Sequence, residues 1–86
     1  MNKENFRKLL VEAINKYIAN EEEYGDNSVV EISPDTLQVS LLAEERDEEK
    51  YDYYDVMDFL EMSVDNPGKW NVDSDAVEEV VEEYIH

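Results

Sequence analysis

Cysteine is absent from these 86 residues, which removes disulfides, thiolate chemistry and Cys-based zinc sites together. Glycine and proline number two each, too few for a glycine-rich phosphate loop, so nucleotide binding of that kind is excluded. The one histidine is His86, at a position expected to fray, so no nucleophile is paired with a well-held base. Apolar runs are no longer than two or three residues, against the roughly 20 needed to span a bilayer. The opening Met1-Asn2-Lys3-Glu4-Asn5 lacks the apolar segment of a signal peptide, and a cytoplasmic location is the expectation. Positive charge is the last scarcity. Seven Lys and Arg face 24 Asp and Glu, for a formal net charge of −17.

What is present is enough to fold. Apolar residues make up 42% of the chain, including six Tyr and two Phe, which sets it apart from a disordered acidic tail. Phe6, Leu9, Leu10, Ala13, Ile14, Tyr17 and Ile18 recur at the spacing of one helical face and predict a helix over residues 3–23, ending near Gly25. Its charges oppose the helix dipole, with Lys3, Arg7 and Lys8 early and Glu21, Glu22 and Glu23 late. Burial of the apolar face must therefore hold it.

Val29, Val30 and Ile32, then the turn Ser33-Pro34-Asp35-Thr36, then alternating Leu37, Val39 and Leu41 predict a β-hairpin. Residues 44–50 form a charged link without an apolar anchor, expected to be mobile. Tyr53, Val56, Met57, Leu60 and Val64 keep helical spacing and favour a short helix; a strand through residues 50–55 leading into it is the alternative. Asp65-Asn66-Pro67-Gly68 breaks the chain. Asp73 or Ser74 caps a last helix with Ala76, Val77, Val80, Val81, Tyr84 and Ile85 inward. The expected fold is a single α+β domain over residues 1–86. It has two layers, a β-hairpin (three strands as the alternative) covered by N- and C-terminal helices, in the order α-β-β-α-α.

With 24 acids, a carboxylate pair for acid–base work arises by chance, and none sits in a motif, so no enzyme is expected. Asp65, Asn66, Asp73 and Asp75 suggest calcium, but an EF-hand loop started at Asp65 puts Trp70 where glycine is required and Ala76 where the bidentate Glu belongs. No metal and no cofactor is expected. Trp70 reads as core more than as a partner anchor. Tyr51, Tyr53 and Tyr54, set beside Asp52 and Asp55, pair aromatic faces with carboxylates suited to arginine.

The first 20 residues hold four bases against two acids, a net +2, which leaves −19 for the remainder of a chain totalling −17. Such segregation argues against charge placed for solubility alone. On a helix, the pairs Glu78 with Glu82 and Glu79 with Glu83 stand about 6 Å apart, near the pitch of successive phosphates. In size and charge the chain resembles the small acidic proteins that imitate DNA and block restriction or RNA-guided nucleases, a resemblance of class without a shared motif. It implies an inhibitor or regulator that occupies the basic, nucleic-acid-binding surface of another protein. The expected contact residues are Glu44, Glu45, Asp47, Glu48, Glu49, Asp52, Tyr53, Tyr54, Asp55, Asp58, Glu78, Glu79, Glu82 and Glu83. Repulsion opposes nucleic acid itself as a partner, and opposes an anionic membrane except through the cationic first helix, so neither is expected. The alternatives are an interaction or adaptor domain, or a homodimer in which the cationic first helix of one copy meets the acids of another, and a housekeeping domain whose charge only confers solubility.

Overall fold

The computed structural model describes residues 2–46 and 48–86. Asn2 starts helix α1 (Lys3–Ala19), its Oδ1 accepting from the Asn5 amide at 2.8 Å. Phe6, Leu10, Ala13, Ile14 and Tyr17 are buried, and each large side chain so buried contributes about 1.5–3 kcal/mol, more than the misplaced end charges take away. The helix does not run unbroken to residue 23. Asn20 leaves helical geometry and its Nδ2 donates to the Lys16 carbonyl at 2.9 Å, after which α2 (Glu21–Tyr24) starts afresh and ends at Gly25, with φ of 77°. The break moves Glu21, Glu22 and Glu23 from the end of one helix to the first turn of another, where exposed N–H groups favour negative charge.

Strand β1 (Val29–Ile32) is the centre of a three-stranded antiparallel sheet, between β2 (Val39–Leu42) and β3 (Asp52–Asp55). Val30 lies opposite Leu41 and Tyr54, and Glu31 opposite Ser40 and Tyr53. The β1–β2 turn takes residues 33–38, longer than expected, because Leu37 adopts φ of 59° and its amide bonds to the Ser33 carbonyl at 2.7 Å. Leu37 thereby leaves the strand alternation but still packs partly on the core.

The short helix favoured for 51–64 is not formed. That stretch is β3, a 3-10 turn (Val56–Phe59) and strand β4 (Leu60–Met62), which pairs antiparallel with β5 (Trp70–Val72). Val56 and Leu60 are buried but Val64 is 95% exposed, so the helical spacing never defined a continuous inward face. The second edge of β1 needed a partner, and residues 52–55 supply it. The Val56 amide extends that ladder to the Ser28 carbonyl at 3.2 Å. Helix α3 (Ser74–Tyr84) starts at Asp73, whose Oδ1 accepts from the amides of Asp75 and Ala76. It packs Val77, Val80 and Val81 into the core shared with α1 and the 3-10 turn that carries Phe59. The class is α+β with terminal helices over the sheet, 37 × 27 × 15 Å in extent. Trp70 is half-buried against the same core. Among the described residues no helix is long and apolar enough to cross a membrane.

Candidate functional site

Strand alternation puts Tyr54 and Asp52 on the α-helical side of the sheet and Tyr53 and Asp55 on the other. Tyr54 leans on Phe59, ring centroids 5.9 Å apart, and Tyr84 of α3 packs edge-on to Phe6 at 5.5 Å. Both rings are thus fixed by the core while their hydroxyls reach the surface. There they meet: the two Oη atoms are 3.1 Å apart, Tyr54 Oη lies 3.1 Å from Glu83 Oε2, and Tyr84 donates to Asp52. Burial first, and then its hydrogen bond to Asp52, push the Tyr84 pKa up. Burial also raises that of Tyr54. Both phenols stay protonated at ordinary pH.

A shallow groove of about 440 Å³ opens beside Tyr54, between the 3-10 turn and α3, walled by Asp58, Glu79 and Glu83 over a floor of Phe59 and Val80. It adjoins a second concavity, of about 460 Å³, that contains Asp52, Tyr53 and Tyr84 and shares Tyr54 and Glu83. Two hydroxyl hydrogens serve three short contacts in the chain Asp52, Tyr84, Tyr54, Glu83, so one contact lacks a donor.

The groove and the concavity it adjoins bring together Asp52, Tyr54, Asp58, Glu79 and Glu83 of the expected residues, while Tyr53 borders the concavity with its side chain turned to the other side of the sheet. They do not collect the others. Glu78, one position from Glu79, turns to α1 and forms a two-pronged pair with Arg7, whose Nη2 donates to Oε2 at 3.1 Å. Arg7 holds the Glu78 carboxyl below the usual range, chiefly by that hydrogen bond. Glu82 is exposed on α3. Glu44, Glu45 and Asp55 line a separate concavity with Asp26 and Met57. Glu48 lies 3.8 Å from Lys50, and Glu49 is exposed. Asp47 lies outside the described residues. The carboxylates thus gather in distinct groups on two sides of the sheet, not on one continuous face.

Two features escaped the sequence. Tyr84, assigned to the core, contributes its hydroxyl to the groove. Glu31, at 5% exposure on the central strand, is met by Arg46 from the charged link, Nη2 to Oε1 at 2.5 Å and Nε to Oε2 at 3.1 Å. Arg46 also lies 5.8 Å from the Tyr51 ring, with Lys50 at 5.4 Å. Arg46 thus ties the link to the outer face of the sheet at that one residue. The Tyr53 hydroxyl is buried beside Glu31 without a hydrogen bond of good geometry, and burial first, then that carboxylate, raises its pKa. A lone acid in an otherwise apolar strand was the available signal. Among the described residues no group of three or more acids or histidines is placed to hold a metal ion. Comparisons with protein-family models, with curated proteins and with solved structures find no match.

Proposed function

We propose that the protein is a non-enzymatic acidic binding protein that occupies the basic, nucleic-acid-binding site of another protein. The observation that carries this reading is the groove beside Tyr54, where core-held tyrosines and four carboxylates offer acceptors for guanidinium or ammonium groups and one contact is short of a hydrogen. Charge density supports it at larger scale. Over the 37 Å long axis, duplex DNA carries about 22 charges at one per roughly 1.7 Å, and this chain has a net 17. A surface built for phosphates meets a comparable field here.

The test is capture at low salt from cell extract on immobilised protein, followed by elution with duplex DNA. Release by DNA of proteins that themselves bind nucleic acid supports the reading. Recovery only of proteins that DNA does not displace rejects it.

A further inference from the structure

The two edges of the sheet are treated differently by the sequence. The β3 edge starts and ends with exposed Asp52 and Asp55. The β2 edge is Val39-Ser40-Leu41-Leu42, inside residues 36–43, the longest run without charge in a chain that is 36% charged. Charges on an edge strand oppose pairing with another strand, and an edge without them invites it. The hydrogen-bond alternation shows what is on offer. Bonds from the Ser33 amide to Gln38 and from the Val56 amide to Ser28 make Val29 and Glu31 face β2 and Val30 and Ile32 face β3. By register, Ser40 and Leu42 bond to β1, and Val39 and Leu41 turn their amides and carbonyls outward. Among the described residues those groups have no backbone partner.

We propose that two copies of this chain pair antiparallel through β2, about a two-fold axis at Ser40. This register sets Val39 of one copy opposite Leu41 of the other, so the outward groups of all four residues bond to one another and one six-stranded sheet results. The side of the edge nearest α1 is self-complementary too. Leu9, Glu12, Ala13 and Lys16 flank Val39 and Leu41 in a groove of about 400 Å³, and the two-fold brings Glu12 of one copy toward Lys16 of the other. The helix beside this edge carries the chain's one net-positive stretch, four bases against two acids over residues 1–20, and the groove itself holds one acid and one base. A second copy fits better than a foreign strand because every group on the edge has its complement on the edge itself. The surface is distinct from the groove beside Tyr54.

Sedimentation equilibrium of the full chain tests the pairing. The expected result is a mass that rises with concentration from 10.1 kDa toward double that value. Association strengthens as salt is raised from about 0.01 M to about 1 M, because screening over roughly 30 Å becomes screening over roughly 3 Å and the net repulsion fades. Ser40→Lys, at an exposed position, is expected to stay folded, to melt as the parent does only at concentrations where the parent is itself monomeric, and to remain monomeric throughout, with Ser40→Thr still dimeric. In a chain without cysteine, Ser40→Cys is expected to cross-link between copies on mild oxidation, since such opposed positions stand about 4.5 Å apart, whereas Glu82→Cys is not. A parent chain monomeric at every concentration overturns the proposal. So does a dimer that dissociates with salt, survives Ser40→Lys, or fails to cross-link at residue 40.

Discussion

If the groove beside Tyr54 is a site, position must matter more than total charge. Replacing Asp52 and Asp58 by Asn and Glu79 and Glu83 by Gln removes four of its charges while keeping oxygen acceptors for Tyr84 and Tyr54. Replacing Glu21, Glu22 and Glu23 by Gln and Asp35 by Asn removes four charges that line no part of it. Both variants leave the same net charge. At about 0.15 M ionic strength the screening length is about 8 Å, short against a 37 Å body, so only groups near a bound cation act on it. An exposed ion pair contributes about 0.5 kcal/mol; four give about 2 kcal/mol, or about 30-fold in Kd.

Fluorescence anisotropy with a labelled oligo-arginine peptide reads this directly. The groove variant is expected to lose about 30-fold in affinity, while the α2 variant changes less than about 3-fold. Near 0.01 M ionic strength, where screening reaches about 30 Å, both are expected to weaken binding. Equal losses for the two variants at about 0.15 M refute the local site and leave only a diffuse field.

Three further outcomes test the structure itself. Asp73→Ala removes the acceptor for two amides at the start of α3 and is expected to lose about 1 kcal/mol, a fall of about 4–8 °C in the thermal midpoint of so small a domain; an unchanged midpoint rejects the cap. The Glu78 carboxyl is held below its ordinary pKa of 4.5 by Arg7. Its contribution to stability is therefore present above that value and lost as pH falls through the lowered one. Glu78→Gln should lower the thermal midpoint at neutral pH, with the gap closing in acid; a gap independent of pH contradicts the pairing. Arg46→Met leaves Glu31 buried without a cation, so amide exchange in residues 43–51 should accelerate, and adding Glu31→Gln should restore stability; protection unchanged in Arg46→Met shows that the pair does not hold the loop.

The two long helices were legible because their apolar residues are spaced for one face and no other. Phe6, Leu10, Ile14 and Tyr17 admit no strand reading, and Asp73 before Val77 and Val80 marks a start. Residues 51–64 were not, since Val56, Met57 and Leu60 fit a short helix or a turn between strands equally well. The choice was made by β1, about 20 residues earlier in sequence, whose second edge required pairing. Glu79 with Glu83 could be anticipated from helical spacing alone. That Glu78 belongs to Arg7 could not, because the 100° between neighbours on a helix becomes an address only once α1 is docked. Asp52 and Tyr84 meet across 32 residues, and Arg46 and Glu31 across 15, distances over which composition carries no pairing information.

Charge arithmetic limits what any fold of this chain could have done. Seven bases cannot neutralise 24 acids, so at least 17 carboxylates lack a cation of their own whatever the topology. How the scarce bases are used is therefore informative. The chain has two arginines, the residues whose planar fork matches a carboxylate with two parallel bonds. Both are engaged internally: Arg7 ties α1 to α3 through Glu78, and Arg46 ties the link to the central strand through Glu31. The five lysines make no such two-pronged contact among the described residues. With both forks committed to Glu78 and Glu31, the carboxylates of the Tyr54 groove have no arginine partner among the described residues.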